Sequence, residues 1–360
     1  MPKLFLSIFI CLNLVTVSVY ALSAQSAVLI DAASGRILYE QNAHQQLPMA
    51  STTKIMTGLL ACESGKLDKS VKASPFASGT EGSSLWLKVG EKLTLEELTY
   101  GLMLKSGNDA AVAIAEYLGG NVDAFALMMT QRAKEIGAKN TSFKNPHGLD
   151  IEGHYTTAYN LALIAREAMK NEKFTEIVST KNYTIPMEGE KWDRALKNHN
   201  KLLWKYEGCN GIKTGYTKRC GRCLVSSAEK GGERLICVTL NAPDDWNDHM
   251  YLLDYGFENF ENKKLFRKGE KALSITYDKK NKKKVKLLYD DNYSIAVDEN
   301  DIITTEIKRK KITDPSKKGT IAGYVNIYCN GEKVGEVDLI TASSIKKLSL
   351  IDKFKLLFSI

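Results

Sequence analysis

Ser51-Thr52-Thr53-Lys54 stands at the head of an apolar helical run through Ile55, Leu59 and Leu60, behind a loop that contains Pro48. One turn of helix sets residues i and i+3 side by side, so a lysine amine at that spacing reaches the serine hydroxyl and can take its proton. The spacing alone is weak evidence, because Ser227 with Lys230, Ser343 with Lys346 and Ser344 with Lys347 share it. Only Ser51 precedes a long apolar run. Two further motifs follow: Ser106-Gly107-Asn108 between two helical segments, and Lys213-Thr214-Gly215 leading toward a strand. Singly, the first reads as a helix-to-helix turn and the second as a common tripeptide that Lys105-Ser106-Gly107 nearly duplicates. S-x-x-K, then S-x-N, then K-T-G, on helix, loop and strand in that order, is a specific combination.

Outward from these motifs, Ser26 to Tyr39 reads as two strands joined at Ala33-Ser34-Gly35. Thr94 and Glu97 have capping-box spacing ahead of Leu98, Leu102 and Met103, which starts a helix. Further helices are expected over Ala110 to Leu118, Val122 to Ile136 and Thr157 to Met169. Past Lys213 the pattern becomes a hairpin, Cys223 to Ser227 and Leu235 to Leu240 about Lys230-Gly231-Gly232. A loop over Ala242 to His249 and a helix through Met250 to Leu253, broken at Tyr255-Gly256, come next. From about Leu265 the chain is lysine-rich with short alternating strands, such as Gly323 to Cys329 and Lys333 to Leu339 turning at Asn330-Gly331.

The chain has 360 residues, 44% of them hydrophobic, enough for more than one core. Met1-Pro2-Lys3 followed by an apolar run from Leu4 to Ala21 and small residues at Ser23 and Ala24 reads as a secretory signal peptide over 1–24. The net charge of +8 lies entirely from Glu261 onward, where 22 basic residues face 14 acidic ones. A neutral body with a basic tail region suits anionic wall polymer or lipid, and export argues against nucleic acid. Cys62, Cys209, Cys220, Cys223, Cys237 and Cys329 remain once the signal is removed, an even number that permits disulfides without requiring them. Cys220-Gly221-Arg222-Cys223 has no second C-x-x-C or histidine pair, so no metal site is expected. Leu350, Ile351, Phe354, Leu357 and Phe358 share one helical face opposite Lys353 and Lys355, which makes 344–360 an expected amphipathic helix lying on a membrane without crossing it.

With Ser26 through Ala32, Asn145-Pro146-His147-Gly148-Leu149, His154 through Ala158 and Gly211 through Gly215, the three motifs resemble the low-molecular-weight penicillin-binding proteins of the D-alanyl-D-alanine carboxypeptidase family. Ala242 through His249 resembles the sporulation-associated branch. The resemblance covers about residues 25 to 343. It implies an α/β (α+β) serine transpeptidase/β-lactamase-like catalytic domain over 25–262, with an antiparallel sheet and a helical cluster, and a small all-β domain over 263–343. It also implies roles: Ser51 attacks the D-Ala-D-Ala carbonyl of a peptidoglycan stem peptide, Lys54 is the base and Ser106 relays a proton to departing D-alanine. Asn108 binds the peptide amide, Lys213 and Thr214 hold the terminal carboxylate, and the N–H groups of Ser51 and of Tyr216, after Gly215, bind the oxyanion. A β-lactam mimics the dipeptide and acylates the same serine; no cofactor is implied. His147 reads as structural. Cys220 and Asn160 depart from the family pattern, and the 242–249 stretch lacks an arginine that some relatives place near the substrate carboxylate. The rival readings are a class A-like β-lactamase, whose deacylating glutamate has only Glu167-Ala168-Met169-Lys170-Asn171 as a match, and a non-hydrolytic wall-binding or lactam-sensing module.

Overall fold

The computed structural model describes residues 21–187, 190–278, 283–310 and 315–345. The expected signal segment as far as residue 20, and the expected amphipathic helix beyond Ile345, lie outside the described residues. In chain order come β1 (Ser26–Asp31), β2 (Ile37–Gln41), a 3-10 turn at Ala50–Thr53, α1 (Lys54–Glu63), β3 (Ser70–Lys72), α2 (Pro75–Ser78), β4 (Lys92–Thr94) and α3 (Leu95–Leu104). They are followed by α4 (Asn108–Gly119), α5 (Val122–Ile136), α6 (Ala158–Ala168), α7 (Glu172–Ser179), β5 (Asn182–Ile185), β6 (Arg194–Lys197) and α8 (Leu202–Lys205). β7 (Cys209–Thr217), β8 (Gly221–Lys230), β9 (Glu233–Leu240) and α9 (Asp245–Asn259) complete the first domain.

Its sheet is antiparallel, in the order β2-β1-β9-β8-β7. All six residues of β1 are buried, because side chains alternate between two covered faces. Val28 and Ile30 join Val225, Ile236 and Val238 in the core shared with the helical cluster. Ala27 and Leu29 join Leu224 and Leu235 against Leu252 and Leu253 of α9. The helical cluster is entered at α3, where Thr94 Oγ1 accepts from the Glu97 N–H and Glu97 Oε2 from the Thr94 N–H, the capping box read from the sequence.

Two local expectations are corrected. The helix does not break at Tyr255-Gly256; α9 continues to Asn259 and already begins at Asp245, inside the stretch read as a loop. Gly256 is there for closeness, since a Cβ would come within 2.5 Å of Leu235 Cδ1 and 2.8 Å of Leu29 Cδ2. The glycine lets the helix press onto the strands.

The C-terminal part is all β: β10 (Glu261–Phe266), β11 (Lys271–Asp278), β12 (Lys283–Tyr289), β13 (Tyr293–Val297), β14 (Ile303–Arg309), β15 (Ile321–Cys329) and β16 (Glu332–Thr341). β10 pairs with β13, and the rest form a sheet in the order β11-β12-β16-β15-β14 around Val285, Leu287, Val325 and Leu339. Asn330 and Gly331 both take positive φ, +52° and +85°, as a tight hairpin turn requires. The body holds this part through the β1–β2 turn: Asp31 Oδ2 accepts from the Ala296 N–H at 3.2 Å, and Arg36 donates to the Ala296 carbonyl and to Asp301.

Candidate active site

Ser51 sits in the 3-10 turn ahead of α1, and Lys54 is the first residue of the helix proper. Lys54 is fully buried, and its Nζ has three close partners: Ser51 Oγ at 3.0 Å, Asn108 Oδ1 at 2.7 Å and the His147 carbonyl at 2.7 Å. Burial first, and the nearby Lys213 ammonium second, hold its pKa well below the ordinary lysine value. A neutral amine has two N–H bonds and one lone pair. The Asn108 and His147 oxygens can only accept, so they take the two N–H bonds and leave the lone pair for the serine hydroxyl.

The three motifs meet because α4 and β7 flank this turn. Asn108 begins α4, and its Nδ2 donates to the Glu81 carbonyl at 2.7 Å, which fixes Oδ1 toward Lys54. Asn108 thus positions Lys54, and one N–H remains free of these two bonds. Asp109 accepts from the N–H groups of Leu85 and Leu87 and from Ser84 Oγ, pinning the loop that carries Ser83 to the head of α4. Ser106 is held at φ +62°, a region non-glycine residues seldom occupy. On β7, a Cβ at Gly215 would meet the Ser51 and Thr52 nitrogens at 3.0 and 3.1 Å, so glycine brings the strand against the turn that holds Ser51. Lys213, on the same strand, is 1% exposed, donates to the Thr214 carbonyl at 2.9 Å, and is pushed down to about 7 by burial.

A cleft of 320 Å³ opens over these groups. Ser51, Ser106, Thr214, Gly215 and Tyr216 line it, with Ser83 on the loop opposite. Lys54, Asn108 and Lys213 are buried around its serine, and the Tyr216 side chain projects at the rim, 66% exposed. Residues not singled out from the sequence complete the wall: Arg222, Asp245 and Trp246, with His199 and Lys201 at one end. Arg222 lies opposite Tyr216 in the strand register, bonds Asp245 Oδ1 through Nε and Nη2 at 3.0 and 2.6 Å, and stacks over Trp246. Its signal was the Cys220-Gly221-Arg222-Cys223 tetrapeptide, in which the cysteines drew the reading. Those cysteines are free thiols, and Cys220 Sγ lies 3.3 Å from Asp150 Oδ1.

His147 reaches the site through its main-chain carbonyl; burial, with Lys54 and His154 beside it, lowers its imidazole to about 3 and keeps it neutral. His154 accepts from the Lys144 N–H at Nδ1, so its Nε2 carries the proton and donates to Thr53 Oγ1 at 2.8 Å. Gly148 passes so near the turn that holds Ser51 that a Cβ would lie 1.9 Å from the Ala50 carbonyl oxygen. Glu167 is not in the cleft: on α6 it pairs with Arg132 and Lys170.

A family profile described as D-alanyl-D-alanine carboxypeptidase matches residues 13–244, and one described as penicillin-binding protein 5, C-terminal domain, matches 260–347. D-alanyl-D-alanine carboxypeptidase DacF of Bacillus subtilis is 37% identical over 92% of this chain and 88% of its own length. DacC of Escherichia coli, a D-alanyl-D-alanine carboxypeptidase, is 31% identical over 92% and 86%. The crystal structure of penicillin-binding protein 5 from Haemophilus influenzae superposes with a TM-score of 0.75 at 30% identity, covering 92% of this chain and all of that one. Helical cluster, antiparallel sheet, C-terminal β domain and sequence all agree: the chain belongs to the D-alanyl-D-alanine carboxypeptidase family.

Proposed function

We propose that this chain is an exported serine-type hydrolase that removes the terminal D-alanine from peptidoglycan stem peptides through an acyl-enzyme at Ser51. The observation that carries the reading is the Lys54 amine, whose two acceptor-only partners leave its lone pair for the Ser51 hydroxyl. Ser51 Oγ attacks the penultimate D-alanyl carbonyl while Lys54 takes its proton. The oxyanion lies between the N–H groups of Ser51 and Tyr216, and Ser106 passes a proton to the departing amine. Water then cleaves the ester and regenerates the serine. Thr214 and Gly215 border the substrate on β7, an edge strand along which an extended peptide can lie. Lys213 supplies positive charge beneath Thr214, and the arginine that the 242–249 stretch lacks is replaced by Arg222, held by Asp245, which meets the terminal carboxylate.

The position of Glu167 on α6, in ion pairs with Arg132 and Lys170, leaves the β-lactamase reading without its deacylating carboxylate. Intact Lys54, Ser106 and Lys213 favour turnover over passive wall binding. The test is fluorescent penicillin together with D-alanine release from a D-Ala-D-Ala peptide. Wild type should be labelled and release D-alanine, and Ser51→Ala should do neither. Label that persists in Ser51→Ala, or that moves to Ser227, overturns the assignment.

A further inference from the structure

Leu22-Ser23-Ala24 lies just ahead of β1, and each of the three residues is engaged by the body. Leu22 packs against the core shared by the sheet and α9, and Ala24, 4% exposed, is part of that core. The Ala24 carbonyl accepts from Gln41 Nε2 at 2.6 Å, and the Gln25 N–H donates to the Asn241 carbonyl at 3.0 Å. Ser23 makes the more specific contacts. Its N–H donates to Asp248 Oδ1 at 3.0 Å, its hydroxyl donates to Asp248 Oδ2 at 2.7 Å, and the same Oγ accepts from the Asp244 N–H at 2.9 Å.

These bonds grip the first turn of α9. Asp244 stands at the head of that helix, where N–H groups have no partner within the helix, and its own carboxylate is turned to Asn247 Nδ2. Ser23 thus supplies from another segment what a capping side chain supplies locally. Asp248 is fully buried, and two donors from one residue hold its carboxylate to the N-terminal segment. Directly after Asp244 comes Asp245, which holds Arg222 through Nε and Nη2, with Trp246 against the guanidinium in the cleft wall. Ser23 itself does not line the cleft.

The sequence leaves the end of the signal peptide open, because Ala21, Ser23 and Ala24 are all small enough to precede the cut. The contacts discriminate between them. A cut after Ser23 or Ala24 discards the serine, takes two donors from a buried carboxylate and strips the Asp244 N–H of its acceptor. A cut after the exposed Ala21 keeps all of these bonds. We propose that the mature enzyme begins at Leu22, not at the Gln25 that a leader over 1–24 would leave, and that Ser23 is a positioning residue that fixes the head of α9 and, through Asp245, the Arg222 guanidinium. The processing step is a hydrolysis catalysed by the signal peptidase of the exporting cell. Water adds across the Ala21–Leu22 amide and leaves an Ala21 carboxylate and a Leu22 α-ammonium. The inference rests on the proposed export and on the proposed meeting of Arg222 with the substrate carboxylate.

The test exports the full precursor and reads the intact mass and first residues of the mature protein. Leu22 is expected first, and Ala24 or Gln25 in that place overturns the proposal. In Ser23→Ala, KM for a D-Ala-D-Ala peptide should rise about tenfold with kcat within about twofold of wild type, the effect of loosening one charge-assisted contact. Ser23→Thr, which keeps the hydroxyl, should restore KM. In an Arg222→Ala background, Ser23→Ala should add less than about twofold, because residues that act through one another are not additive. An equal rise in both backgrounds, or a fall in kcat alone, overturns the positioning role. A mature protein that still begins at Met1 refutes the export reading alone. Chains begun at Leu22 and at Gln25 then decide the segment: the shorter should melt about 5 °C lower, and equal melting overturns the proposal. If wild type cleaves no D-Ala-D-Ala peptide, the proposed activity fails by itself, and the first residue and the melting pair still decide the segment.

Discussion

Lys54 and Lys213 are both buried from solvent, at 0% and 1% exposure, yet the proposed chemistry asks opposite things of them. Lys54 has to be neutral to take a proton from Ser51, while Lys213 has to be cationic to favour the substrate carboxylate and to help depress its neighbour. Two ammoniums close together in a desolvated site repel, so one positive charge for the pair is the favourable state. Burial lowers Lys213 to about 7, so in the free enzyme it is charged below that pH and sheds its proton above it. Peptide kcat/KM should therefore fall on the alkaline side of about pH 7 as the cation is lost. Lys213→Arg should flatten that limb, because a guanidinium stays charged, at the cost of about a tenfold lower plateau from its different shape. Lys54→Ala should slow penicillin acylation by about 10²–10⁴-fold, the range for a lost general base. An alkaline limb that persists in Lys213→Arg, or wild-type acylation by Lys54→Ala, would refute this division of roles.

β7 matters for where its main chain runs. It is the edge of the five-stranded sheet, paired to β8 on one side only, and at Gly215 it passes within van der Waals range of the turn that holds Ser51. Helix and strand are separate elements, so their spacing is set by the smallest residue between them. The added carbon of Gly215→Ala would sit 3.0 Å from the Ser51 nitrogen and 3.2 Å from Ala50 Cβ, closer than the turn accepts without moving. Overpacking of this kind costs about 1–3 kcal/mol, and a displaced nucleophile can lose about 10² in rate. Gly215→Ala should consequently remain folded by thermal melt while penicillin acylation drops about a hundredfold. Near-normal acylation would show that the strand and the turn are not in register for the reaction.

Charge is divided between the two halves of the molecule: the first 260 residues balance, and the whole excess of +8 lies beyond them. The β domain is fastened to the β1–β2 turn by Arg36, whose partner Asp301 is held down to about 2 because that guanidinium and the Asp298 N–H outweigh the effect of burial. Among the described residues no single helix is long and apolar enough to cross a membrane. The amphipathic pattern over 344–360 is proposed as a surface anchor from its sequence alone, with the basic domain adding attraction to anionic lipid. Deleting residues 346 to 360 should release active, penicillin-binding enzyme into the soluble fraction. A mature full chain that does not sediment with anionic vesicles at low salt would remove the anchor and leave the catalytic reading standing.

The sequence by itself determined whatever depends on neighbours along the chain. Thr94 with Glu97 marked a helix start, Asn330-Gly331 a hairpin and Ser51 with Lys54 a serine–amine pair, because helical and strand periods are local geometry and one turn of α-helix needs no tertiary partner. Short elements escaped it: α2, α8 and β3 to β6 have three or four residues each, too few for a period to repeat. Only the tertiary structure decided which oxygens take the Lys54 N–H bonds. It alone carried α9 through Gly256, brought Arg222 to the cleft with Asp245 and Trp246, and set Lys105, Lys197, Lys201 and Lys205 around one hollow. Those contacts join residues dozens of positions apart, and their distances are set by how closely helix and strand backbones pack, which no single segment of the chain encodes.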